Sequence, residues 1–65
     1  MQLRRTDEVP PEARRREVFL ALVEAQDRDL GVAASRQFVA ETFGLSERLV
    51  RLIEEEGLDR EWPPL

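Results

Sequence analysis

Arg48 and Arg51 are the side chains with the clearest chemistry in this 65-residue sequence. They stand three residues apart, a spacing that puts both on one face of a helix. A guanidinium is a planar fork. It pairs bidentately with the O6 and N7 of guanine and with phosphate oxygens. The same outward face is expected to present Ser46, Glu47, Leu52 and Glu55. Glu47 can accept from a cytosine amine. A solvated face competes with this reading, because Glu47–Arg51 and Arg51–Glu55 are both four apart and can form an ion-pair ladder.

Catalysis has little to work with. Histidine, cysteine and tyrosine are absent, so imidazole, thiol and phenol chemistry are excluded. Ser35 and Ser46 have no candidate base beside them in the sequence and read as helix caps. Gly31, Gly44 and Gly57 are isolated and make no phosphate-cradling loop. Without cysteine or histidine the usual zinc sites and disulfides are also excluded. No cofactor, metal or enzymatic activity is expected.

Arg48 and Arg51 lie in the run from Arg36 to Glu55. Within it Ala40 is small where two helices would touch, and Gly44 sits four residues later, where the chain must reverse. Val39, Phe43, Leu45, Val50 and Ile53 fall where two helices would share a core, with Leu49 at its edge. Ser46 is a good N-cap, and Glu47 adds negative charge at the positive end of the helix dipole. Leu45 and Val50 suit a hydrophobic staple. Gly57 fits the position after the C-cap, with Leu58 folding back on Ile53.

This run resembles the helix-turn-helix superfamily of bacterial transcription regulators, sigma-factor promoter-reading modules and recombinase DNA-binding domains. The resemblance covers about a third of the chain. It implies an all-α fold and a third helix that enters a DNA major groove. On that basis Arg48 and Arg51 would read bases. Ser46, Glu47 and Leu52 would lie beside them. Ser35, Arg36 and Gln37 would hold phosphates at the start of the second helix. The partners implied are double-stranded DNA and either a second copy or a larger protein.

The elements around the motif follow from periodicity. Residues 1–9 lack it and are expected to form a loose arm. In that arm Arg4 and Arg5 either reach a DNA groove or belong to a disordered terminus. Pro10-Pro11 breaks any earlier structure. Val18, Phe19, Leu22, Val23 and Gln26 recur at helical spacing. Helices are expected over about 11–29, 35–43 and 47–56, within one domain of residues 10–65. The result is a small three-helix unit with an extended C-terminal tail packed on its core. Trp62 is expected to cover that core, the alternative being an exposed anchor for a partner.

Net charge is −4, unevenly spread. Residues 1–16 carry five Arg against three acids, and residues 35–53 three against two. Residues 54–65 carry one Arg against five acids. Three consecutive arginines, Arg14 to Arg16, spread over most of a helix turn, so they cannot all face one partner. The acidic C-terminal segment and Leu52 favour a second reading, a protein-interaction adaptor on the same scaffold. No apolar run is long enough to span a bilayer and no signal-peptide segment is present, so a cytoplasmic location is expected.

Overall fold

The computed structural model describes residues 6–65. Its three helices are α1 (Glu12–Asp27), α2 (Val32–Phe43) and α3 (Glu47–Arg60). Among the described residues there is no strand, and extended pairing is confined to an isolated parallel bridge between Thr6 and Leu45. The fold is the small all-α three-helix unit expected, with each helix bounded differently from the sequence pattern.

Pro11 occupies the N-cap of α1, and its carbonyl accepts from Arg15 N at 2.9 Å. The helix closes two residues before the expected end. There Arg28 N and Asp29 N donate to Ala25 O and Gln26 O, and Asp29 takes the left-handed conformation (φ 68°). Aspartate enters this region more readily than most residues.

α2 begins three residues before the expected position, after Gly31. Ser35 is therefore not its N-cap but an interior residue with no solvent exposure. Its hydroxyl donates to Val32 O at 2.8 Å and accepts from Gln26 Nε2 at 3.3 Å. Val32, Ala33 and Ala34 provide a first turn without a side-chain cap, and packing against α1 keeps Ser35 inside. Gly44 ends the helix at φ 68°, the left-handed conformation glycine adopts without a Cβ clash. Leu45 N donates back to Ala40 O at 2.9 Å, the long-range bond of a Schellman closure.

Ser46 caps α3 by accepting from Leu49 N at 3.1 Å. The helix then runs through Gly57 instead of stopping there, and Leu58 is exposed rather than folded on Ile53. Closure comes at Glu61 (φ 52°), with Trp62 N donating to Gly57 O at 3.0 Å. The physical reason is Phe19. Its ring lies against Gly57, where any Cβ would collide with it, so glycine here serves close helix packing.

The core gathers Val18, Phe19 and Leu22 of α1, Val39 and Ala40 of α2, Leu49, Val50 and Ile53 of α3, with Leu45 and Trp62. Leu49 is thus buried rather than at the edge. Trp62 meets Phe19 edge-on, with centroids 6.1 Å apart. The Arg15 and Arg16 guanidinium groups lie over the indole at 5.9 and 5.4 Å.

Thr6 and Asp7, which lie in the segment expected to be a loose arm, are hydrogen-bonded to the α2–α3 turn. Thr6 N donates to Gly44 O at 3.0 Å and Ser46 N donates to Thr6 O at 2.8 Å. Ser46 Oγ also donates to Asp7 Oδ1. Arg4 and Arg5, with the rest of residues 1–5, lie outside the described residues.

Candidate functional site

α3 divides by helical period into two faces. Leu49, Val50, Ile53 and Gly57 are buried, whereas Glu47, Arg48, Arg51, Leu52 and Glu55 are exposed. The α2–α3 turn sets which face points outward. Gly44 reverses the chain, Leu45 plugs into the core, and Ser46 starts α3 with Leu49 N already bonded. Arg48 and Arg51 therefore share one solvent-facing surface, with half-exposed Leu52 beside them.

Among the described residues neither arginine takes part in an ion pair, so the ladder through Arg51 is not formed. The other arginines around the motif are engaged. Arg36 is held by Glu54, with an Nη2–Oε1 distance of 2.7 Å and both side chains part-buried. Arg14 bonds Glu17 and lies 4.7 Å over the Phe43 ring. Arg15 bonds both carboxylate oxygens of Glu56 at 2.8 and 3.1 Å, and Arg16 pairs with Glu12 at 3.0 Å. The Arg14–Arg16 cluster is thus divided among an aromatic ring of α2, a carboxylate of α3 and its own helix.

These pairings also decide where the acidic end of α3 directs its charge. Glu54 accepts from Arg36 and from Gln26 Nε2. Glu56 accepts from Arg15 and lies 3.5 Å from Arg60. The hydrogen bond from Arg15, aided by its charge and that of Arg60, holds the Glu56 carboxyl below the usual range, against an opposing contribution from burial. The Arg15 guanidinium is correspondingly pushed up. Two of the three consecutive glutamates are thereby turned into the fold, and Glu55 is left outward.

The expected phosphate-holding trio separates. Ser35 is buried and bonded within the fold, so it cannot reach a ligand. Arg36 is committed to Glu54, and Gln37 is exposed. Because α2 starts earlier, the backbone N–H groups of its first turn belong to Val32, Ala33 and Ala34. Ser46 remains at the base of the α3 face, but its hydroxyl is occupied by Leu49 N and Asp7.

Sequence patterning missed the contribution of Thr6 and Asp7, which run beside the start of α3. Asp7 forms, with Val9, Arg48, Leu49 and Leu52, a shallow groove of about 230 Å³. A short polar stretch without periodicity carries no signal for such pairing, because its partners are backbone atoms of a distant turn. Comparison with protein-family models, with curated proteins and with solved structures gave no match.

Proposed function

We propose that this protein is a double-stranded DNA-binding module, a transcriptional regulator or the DNA-binding component of a larger assembly. In this reading α2, the Gly44–Ser46 turn and α3 act as a helix-turn-helix. The first turns of α3 enter the major groove, where Arg48 and Arg51 pair with guanine edges and Leu52 supplies an apolar contact. The observation that carries it is the pair of exposed arginines on one face of α3, without ion pairs among the described residues. Two of the three following glutamates being held inside the fold removes much of the charge that would repel phosphates. Each good bidentate base contact contributes roughly 1–3 kcal/mol of discrimination. A unit this small makes few phosphate contacts, so useful affinity calls for a second copy or a fused partner.

The test is fluorescence anisotropy of labelled mixed-sequence duplex against the protein over a salt series. Neutralising about three to five phosphates gives a slope of log K against log salt near −3 to −4.5. Arg48→Ala/Arg51→Ala is expected to abolish binding. Absence of wild-type binding at low salt would overturn the reading.

A protein-interaction adaptor is the second reading. Half-exposed Phe38, Leu52 and Leu58 favour it, as large apolar side chains on the surfaces of α2 and α3.

A further inference from the structure

Val9 is the most exposed large apolar side chain among the described residues, at 63%. Its backbone is nevertheless tied on both sides. Before it, Thr6 is bonded to Gly44 O and Ser46 N, and Asp7 accepts from the Ser46 hydroxyl. Thr6 Oγ1 accepts from Glu8 N at 2.9 Å. After it, Pro10 O accepts from Arg15 Nη1 at 2.8 Å, and Arg15 is itself bonded to Glu56 of α3. Pro10 also keeps Val9 out of the helical region. A short segment fixed at both ends therefore holds an apolar side chain out to solvent.

Exposed apolar side chains scattered singly need no explanation, but Val9 is not alone. It shares with half-exposed Leu52 the groove whose lining Asp7, Arg48 and buried Leu49 complete. Arg48 joins this groove to the outward face of α3. Its guanidinium complements the two acceptors on the major-groove edge of guanine. A base beside that guanine then comes against Val9 and Leu52. The apolar feature that a base offers in the major groove is the C5 methyl of thymine. The Asp7 carboxylate, an acceptor only, suits the N6 amine of the adenine paired with that thymine.

Resting on the DNA-binding reading, we propose that Val9 and Leu52 form a receptor for the thymine methyl. The protein then prefers a thymine next to the guanine held by Arg48. The segment before α1 takes part in base recognition, and Val9 is a specificity-determining residue on it.

The experiment selects duplexes from a randomised pool with the full chain. Single thymines of the selected duplex are then replaced by deoxyuridine, which lacks only the methyl. Wild type is expected to select guanine with an adjacent thymine. It should bind about four-fold more weakly when that thymine is deoxyuridine, the worth of one buried methyl. Val9→Ala/Leu52→Ala, at two exposed positions, is expected to bind both duplexes alike while still selecting guanine, with circular dichroism checking its fold. Equal binding of both duplexes by wild type overturns the inference and leaves the α3 reading standing. A four-fold preference kept by the double variant does the same. If wild type binds no duplex, or Arg48→Ala/Arg51→Ala binds like wild type, the α3 reading itself fails and the inference falls with it, so the two failures are distinct.

Discussion

Phe19 lies so close over Gly57 that no side chain fits between them: a Cβ on Gly57 would stand 2.2 Å from Phe19 Cδ1. The ring has nowhere to withdraw, because it is itself buried and meets Trp62 edge-on. Helix propensity and packing therefore oppose each other at this position. Gly57→Ala gains about 1 kcal/mol as a better helix former, but overpacking a filled core costs about 1–3 kcal/mol. Packing is expected to win, and the thermal unfolding midpoint, followed by far-UV circular dichroism, should fall by several degrees. An alanine variant as stable as the parent would mean that Phe19 has a second place to go.

Trp62 closes the core from beyond α3, and its loss leaves Phe19 uncovered. Replacing a buried tryptophan by alanine costs about 3–5 kcal/mol. A domain of this length holds only about 3–10 kcal/mol in total, at 0.05–0.15 kcal/mol per residue. Trp62→Ala is expected to lose most of its folded population near physiological temperature. Circular dichroism and the midpoint of urea unfolding check this. In the parent the same single tryptophan should report unfolding by a red shift of its fluorescence.

Glu56 makes stability depend on acid. Its carboxyl titrates lower in the folded protein than in the unfolded chain, chiefly because Arg15 donates two hydrogen bonds to it. A depressed folded pKa contributes stability above the ordinary glutamate pKa. That contribution is lost as pH falls through the folded value. Glu56→Gln should be less stable than the parent at pH 7, and the gap should narrow below about pH 4. Denaturant unfolding at a series of pH values measures it, and a gap that stays constant would count against the assignment.

Ser35 separates a structural from a ligand-binding role. Its hydroxyl is fully buried, bonded to Val32 O and Gln26 Nε2. Ser35→Ala should cost about 0.5–1.5 kcal/mol of stability. Under the DNA-binding reading it should leave the salt slope of binding unchanged. A less steep slope in a still-folded Ser35→Ala variant would return Ser35 to the phosphate contacts.

Much of the helical plan is legible in the sequence because its signals are local. Val18, Phe19 and Leu22 repeat at helical period, Gly44 marks a left-handed turn, and Ser46 caps α3. Each depends on atoms within a turn or two along the chain. The division of α3 into a buried Val50–Ile53 side and an outward Arg48–Arg51 side comes from the same period.

Tertiary structure alone decided every choice between a local signal and a distant partner. Ser35 and Gly57 both carry end-of-helix signals, yet both became interior residues once α1 packed against them. Burial beside Gln26 and contact with Phe19 outweigh a cap that contributes about 1 kcal/mol. The ion pairs are decided the same way. Arg36 and Arg15 look like Arg48 and Arg51 in sequence, and Glu54 and Glu56 look like Glu55. Only helix packing joins Arg36 to Glu54 and Arg15 to Glu56 and leaves the other three outward. The Thr6–Leu45 bridge is likewise tertiary. It joins residues 39 apart through backbone atoms that every residue possesses, so no side-chain pattern announces it.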